Sequence, residues 1–468
     1  MMLNLFITLL CGEFQRRLKM QRSKLLVLIS VLLLITFFSI SVSAEEVEIS
    51  LNEAAEILIE NNRQLQNSRQ NIEKAQKDVE LSGRGYYPTA NLQSSYTKME
   101  SGQMTIDFQE FLVTGPNPDG SLPMTETADE NYRTSLSLNQ PLYLGGRVRI
   151  GKDISELGLE MSRIEYQKQL DQSLFNLVQS YYGVLQAQGM VEIRQNALEV
   201  VNEHLRIVKV NNEAGTSLRQ DLLQTQIEQR KAEEDLIAAE NQLQIARKRL
   251  AQLLGDSSQE YTVSTPEKNP DPETELEQLI NIALENRSEL QSLNINQQML
   301  QKQKNLEGNP YRPQISLNGS YNWQGSELDF SDGSWNITLS GSIPLYDGGK
   351  ANLNEEKKEI EAANLQNSKV DLEESIRIEI EDTLLSLKHS EEMIALEQLS
   401  LENAEENLEL TNKSYQAGIG TNIDVINAQT SYKQAQISLL QAEYNYEINL
   451  YKLLYNTGRI TELFKDVI

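Results

Sequence analysis

Apolar residues return at every seventh position through two long stretches of the chain. Leu177, Val184, Val191, Leu198 and Leu205 share one register, and Ile380, Leu387, Ile394, Leu401 and Leu408 share another. A seven-residue period keeps a narrow stripe on one side of a helix, as in a coiled-coil seam. Elsewhere the period falls to two. Ala90, Leu92 and Tyr96 alternate with Asn91, Gln93, Ser95 and Thr97, and Leu136 and Leu138 with Ser135, Ser137 and Asn139. Ile315, Leu317, Tyr321 and Trp323 alternate with Gln314, Ser316, Asn318 and Asn322. Trp335, Ile337, Leu339, Ile343 and Leu345 alternate with Asn336, Thr338, Ser340 and Ser342. This spacing predicts strands with one apolar and one polar face.

The elements occur in two similar sets. Glu60, Leu65 and Pro88 return 225 residues later as Glu285, Leu290 and Pro313. Further along the offset is 203: Pro141-Leu142-Tyr143-Leu144-Gly145-Gly146 returns as Pro344-Leu345-Tyr346-Asp347-Gly348-Gly349, and Ala214-Gly215 as Ala417-Gly418. The change of offset places a longer, turn-rich loop in the first copy, around Gly115-Pro116-Asn117-Pro118-Asp119-Gly120. The first repeat is read as 45–255, with a helix at 50–83, a β-hairpin over 86–143, a long helix over 147–212 and a helix over 217–254. A linker over 256–274 leads to the second repeat, 275–458, with a helix at 275–307, a hairpin over 311–346, a long helix over 350–415 and a helix over 421–457. Residues 459–468 form a tail. All 11 prolines fall outside these helical spans, as the cost of about 3 kcal/mol for a helix-interior proline requires. A helix of about 66 residues is about 100 Å long, too long for a compact domain, so it runs along a rod or tube.

The strands place the chain in a membrane. Segments of about 10–13 residues with uncharged apolar faces fit a tilted membrane strand. The narrow helical seams offer no broad surface to cover a soluble sheet. Four strands cannot close around a lumen, and open edges in lipid leave backbone groups unsatisfied at several kcal/mol each. Copies must therefore share one barrel. Two copies would give eight strands and three would give twelve, and a transport lumen favours at least twelve. At each strand-to-helix join, Pro141 or Pro344 is expected to end the ladder, because proline cannot donate. The pairs Gly145-Gly146 and Gly348-Gly349 then relax the backbone into the helix.

Residues 1–44 read as a signal peptide with an upstream extension. Arg22 and Lys24 precede an apolar run from Leu25 to Ile40, and Val42-Ser43-Ala44 gives the small-residue cleavage site, with Met20 as a plausible start. Cutting there removes Cys11, so neither disulfides nor thiol chemistry is expected in the mature chain. The net charge of −26 repels nucleic acid. His204 and His389 lie in helical patterns without a second ligand at metal spacing, and both read as surface residues. No phosphate loop, metal cluster or nucleophile–base set is present, so no enzyme activity, metal or cofactor is expected.

The leader, the duplication, the two Pro-Leu-Tyr-x-Gly-Gly joins and the two Ala-Gly turns together resemble the TolC family of outer-membrane efflux proteins, over essentially all of 45–458. The resemblance implies a mainly helical fold with membrane strands, four strands per protomer. It implies a homotrimer whose twelve-strand β-barrel in outer-membrane lipid continues as a twelve-helix barrel in the periplasm, with a mixed equatorial region near 256–275. It implies passive conduction in a tripartite efflux or type I secretion system, with a periplasmic adaptor and an inner-membrane pump of RND or ABC type as partners. By the same resemblance, Ala214, Gly215, Thr216, Ala417, Gly418 and Ile419 form the adaptor-facing tip turns. Asp424 matches an acidic pore ring, with Asp221 its first-copy counterpart, and Asn427 stands where some members have a second acid. Tyr415 matches the tyrosine of a closed-state lock, while Gly420 stands where some members place an arginine. From the residues alone, Thr421 to Asp424 and Ser217 to Gln220 read as helix-capping boxes, and Tyr415 as seam packing. A trimeric coiled-coil stalk or adhesin with a barrel anchor is the rival reading.

Overall fold

The computed structural model describes residues 47–98, 104–106, 112–113, 115–119, 121–122, 124–126, 130–257, 259–266, 275–308, 310–325, 327, 332–465 and 467–468. The leader, residues 267–274 of the linker and much of the first-copy loop lie outside them. In chain order the elements are β1 (Val47–Ile49), α1 (Leu51–Asn61), α2 (Arg63–Gly83), β2 (Thr89–Lys98), β3 (Met104–Ile106), β4 (Met124–Glu126), β5 (Glu130–Leu144), α3 (Arg147–Glu213) and α4 (Arg219–Leu254). There follow β6 (Tyr261–Val263), α5 (Leu276–Asn286), α6 (Ser288–Glu307), β7 (Gln314–Gly325), β8 (Ser334–Ser342), α7 (Lys350–Gln416) and α8 (Asn422–Asn456).

The long helices α3 and α7 have 67 residues each, about 100 Å of rod. α3 packs along α2, α4, α6 and α8, and α7 along α5, α6 and α8. The seven-residue stripes face these partners: Leu177, Val184 and Leu205 are buried on α3, and Ile380, Leu387 and Leu408 on α7.

Two spans expected as single helices are each broken in two. Asn62 takes an extended conformation (φ −67°, ψ 121°), and its side-chain oxygen accepts the N–H groups of Gln64 and Leu65 at 2.9 and 3.2 Å. It thereby ends α1 and caps α2. Arg287, also extended (φ −64°, ψ 124°), divides α5 from α6 and pairs with Glu289 at 3.2 Å and with Glu379 of α7. The breaks let the short first helices turn against the waist of the rod. There α1, β1, β6 and the C-terminal turn at Ile460–Phe464 bury Leu58, Leu174, Tyr181, Leu254 and Phe464 in the largest core. The Tyr181 hydroxyl sits 2.7 Å from the Ser264 carbonyl and 3.0 Å from that of Ile49, tying the parallel pair β1–β6 to α3.

The four membrane-type strands form one antiparallel sheet ordered β2-β5-β7-β8. Register aligns like with like. Leu92, Leu136, Tyr321 and Trp335 form one row across all four strands, and Asn91, Ser137, Ser320 and Asn336 the adjacent polar row. Pro141 does not end its ladder, contrary to expectation: β5 continues to Leu144 through a register shift between Pro141 and Tyr143. The reason is local. β2 stops opposite Asn139, so beyond it β5 is an edge with only β7 beside it, where a missing donor is tolerated. In the second copy β8 does stop at Ser342, two residues before Pro344.

Candidate functional site: the bare sheet and the helical tip

Among the described residues no helix covers either face of the sheet. On the apolar face Leu92 is 72 % exposed, Trp335 71 % and Leu339 67 %. This removes the reading of a soluble sheet packed on helices. Aromatic rings collect at both ends of that face. Tyr96 and Tyr132 are 4.8 Å apart, Tyr321 and Trp323 4.4 Å, and Trp335 lies opposite Tyr321. At the helical end stand Tyr87, Tyr143, Tyr311 and Tyr346, all exposed. Tyr132 to Tyr143 is roughly 36 Å of strand, or about 28 Å in height at a tilt near 40°, close to the band between two interfacial aromatic girdles. Beyond the outer group lies the exposed ion pair Lys98–Glu130, 2.8 Å. Alternation alone did not reveal the girdles, because it counts a tyrosine and a leucine alike.

The polar face is built of hydroxyls and amides that bond one another. Ser316 and Ser340 meet at 2.8 Å, Asn318 donates to both at 3.3 Å, and Ser320 donates to Asn336. Such a surface is wettable and nearly uncharged. Arg133, held by Gln324 at 3.1 Å, stands at its outer end.

At the joins all four glycines are left-handed: Gly145 and Gly146 at φ 64° and 81°, Gly348 and Gly349 at 75° and 80°. The copies then differ. In the second, Asp347 accepts the N–H groups of Gly349 and Ala351 at 2.9 and 2.8 Å. In the first, Leu144 has no such oxygen. Arg312 crosses the join instead, donating to the Gly145 carbonyl at 3.2 Å, and a Cβ at Gly145 would lie 2.9 Å from that of Arg312.

At the far end the two tip turns share one geometry. Gly215 and Gly418 both have φ 75°. Thr216 N–H bonds Asn211 O at 2.9 Å and Gly215 N–H bonds Asn212 O at 3.1 Å; Ile419 N–H bonds Ser414 O and Gly418 N–H bonds Tyr415 O, both at 3.0 Å. This is the Schellman closure of a helix, with Ala214 and Ala417 as the last half-helical residues. The apolar residues just beyond stay in water: Leu218 is 68 % and Ile419 83 % exposed. Gly420 approaches the helix end so closely that a Cβ would lie 2.9 Å from Tyr415 N.

The caps are unequal. Thr421 and Asp424 form a full box: Asp424 accepts the Thr421 N–H at 3.1 Å, and its own N–H reaches the Thr421 hydroxyl at 3.4 Å. The Thr421 hydroxyl first, and its N–H second, donate to the Asp424 carboxylate and hold it below its usual range. The expected box at Ser217 is absent. Leu218 is the N-cap and Asp221 accepts its N–H at 3.2 Å; leucine has no side-chain oxygen, so the Asp221 N–H turns to the Leu218 carbonyl at 3.1 Å. Asp424 and Asn427 both lie exposed, three residues apart on one face of α8, whereas Asp221 is half-buried between the hairpins. Tyr415 packs into a cluster with Leu205, Val208 and Leu222, its buried hydroxyl turned toward Asn211 without completing a hydrogen bond among the described residues.

His389 is exposed, but His204 is not the surface residue expected from sequence. It is 4 % exposed, 2.8 Å from Asn422 Oδ1 and 5.2 Å from the Tyr415 ring. The signal was present: Val201 and Val208, three before and four after, are both buried.

Comparison with known proteins agrees with this geometry. The chain is 24 % identical to the outer membrane efflux protein BepC of Brucella suis biovar 1 over 349 residues, 72 % of this chain and 75 % of that protein. It is 23 % identical to the proteases secretion protein PrtF of Dickeya chrysanthemi over 428 residues, 88 % of each. Its fold matches the crystal structure of the CmeC outer membrane channel of Campylobacter jejuni with a TM-score of 0.71, at 17 % identity and 89 % coverage of each chain. The outer membrane efflux protein family matches residues 54–256 and 279–459. The chain belongs to that family: it is an outer-membrane efflux channel with its long helices in the periplasm, not an enzyme.

Proposed function

We propose that three copies join their four-stranded sheets into one twelve-strand barrel, and their paired helices into a periplasmic tube of twelve helical rods. One observation carries this reading: the sheet is bare on its apolar face and open at both edges, β2 and β8, yet runs directly into two 67-residue helices. A lone sheet of this kind leaves both edge ladders unpaired in lipid, and closure with further copies removes them. In this reading the protomer is a duplicated unit, 45–255 and 275–458, joined by 256–274 and closed by the tail at 459–468.

The channel is passive and is driven by partners. The exposed tip turns at Ala214–Thr216 and Ala417–Ile419, with Leu218 beside them, meet a periplasmic adaptor, which couples the tube to an inner-membrane pump of RND or ABC type. Asp424, with Asn427 one turn on, narrows the pore; Asp221 shapes the wall behind it. Relatives named for efflux and for protease secretion fit one duct serving different pumps. The test is to reconstitute the mature chain in planar bilayers and to crosslink it through cysteines at Gly215 and Gly418 in cells. A large conductance from a trimer, and capture of an adaptor, are expected. A monomer without conductance overturns the reading, and a non-conducting trimer points to the stalk instead.

A further inference from the structure

The four tip helices meet at one buried polar knot. Asn422, 4 % exposed at the start of α8, accepts from His204 of α3 at 2.8 Å and lies 3.2 Å from the Thr225 hydroxyl of α4. Its amide nitrogen donates to the Asp221 carbonyl at 3.4 Å, and the Thr225 hydroxyl donates to that same carbonyl at 2.8 Å. With the Asn422 oxygen as acceptor, the neutral imidazole donates through Nε2. Tyr415 of α7 lies edge-on to the ring. The first hairpin, α3–α4, is thus tied to the second, α7–α8, by hydrogen bonds between buried groups.

We propose that His204 is the positioning residue that pins the second tip hairpin against the first, and that adding a proton to it releases the tip. The inference rests on the channel reading above. Among the described residues, a protonated ring would bring a charge that no carboxylate meets. On α3, Glu203 and Arg206 pair with each other at the surface. On α4, Asp221 is turned to the Leu218 N–H. On α7, Lys413 pairs with Glu409 and Tyr415 offers only its ring. On α8, Asp424 is held by Thr421. Burial holds the imidazole below its ordinary value, and only the Asn422 hydrogen bond opposes that. A released ring, back in water, takes up a proton near pH 6.5, whereas the pinned ring does not. The pin is therefore intact above pH 6.5 and weakens as the pH falls below it. Each unit of difference between the two states shifts the balance about tenfold.

The test records open probability of the full mature channel in planar bilayers from pH 7.5 to 5. The wild type opens about tenfold more at the acid end. H204Q, whose amide can still donate toward Asn422 but cannot titrate, loses that rise. N422L opens at pH 7.5 and gains little on acidification. An acid rise that persists in H204Q overturns the proposal and assigns the effect to carboxylates such as Asp424. A conducting wild type with no acid rise overturns it as well. No conductance at any pH overturns the channel reading itself. Should H204Q not assemble, nuclear magnetic resonance of labelled histidine in the H389N channel decides: a ring titrating at or above pH 6.5 sinks the idea.

Discussion

Arg194 and Asp235 meet at 2.8 Å across the first hairpin, and the same Asp235 oxygen lies 3.5 Å from Lys433 of α8. One carboxylate thus joins three helices drawn from both halves of the chain. All three side chains are mostly covered, so removing the acid leaves two cations facing each other at reduced hydration. D235A is expected to cost about 1–3 kcal/mol in thermal or denaturant unfolding of the helical tube. A K433M background should shrink that cost, which a double-mutant cycle reads directly.

Asp171 gives a pH dependence of opposite sense to that of His204. It is buried on α3 beside Arg287, Glu289 and Tyr455. Burial pushes its carboxyl up to about 7, against the hydrogen bond from Gln167, with Glu289 adding to the rise. The folded state prefers the protonated acid. Its contribution is complete below the unfolded value near 4 and is lost as pH rises through about 7. D171N mimics the neutral form. Its melting temperature should therefore exceed that of the wild type at pH 8, by up to about 4 kcal/mol in stability, and match it near pH 4. Equal pH dependence in the two proteins refutes this.

Thr338 and Leu339 are neighbours on β8 with opposite surroundings. Leu339 faces the apolar band opposite Leu317, and Thr338 faces the polar rows opposite Asn318. L339K should cost about 2–4 kcal/mol near the middle of a bilayer and reduce assembled trimer in outer-membrane fractions. T338K should assemble normally and shift reversal potentials toward anions. If both variants assemble alike, the assignment of faces is wrong.

Gly418 and Gly420 test the tip separately. G418A places a Cβ at φ 75°, a strain of about 1 kcal/mol, with open space around it. G420A instead drives a Cβ against the Tyr415 backbone at 2.9 Å, so the turn itself must move. Export in cells should fall more for G420A than for G418A while trimer yield stays unchanged.

Two periodicities carried most of the architecture in the sequence. The seven-residue stripe through Leu177 and Ile380 marks helices whose partners are other helices, and the two-residue alternation through Leu136 and Trp335 marks a sheet with unlike faces. Less was visible where a single side chain decides. Asn62 reads equally well inside a helix or at a cap until its oxygen is seen on Gln64 and Leu65. Pro141 reads as the end of a strand because the shorter reach of its neighbour β2 cannot be read from β5. His204 reads as a surface residue by type, although its spacing from Val201 and Val208 points inward. Asp424 remains a cap in one protomer, and its place in a ring depends on copies beyond the single chain.

The hydroxyl and amide rows from Asn91 to Ser340 have a consequence for traffic. Among the described residues of these rows fixed charge is confined to Arg133, so the proposed barrel would offer wetting without sorting: a cation, an anion and an unfolded peptide all find donors and acceptors along the rows. Discrimination by charge is then left to the opposite end, about 100 Å away. On the proposed reading, cargo that has passed the tip meets no charged constriction along the described polar rows.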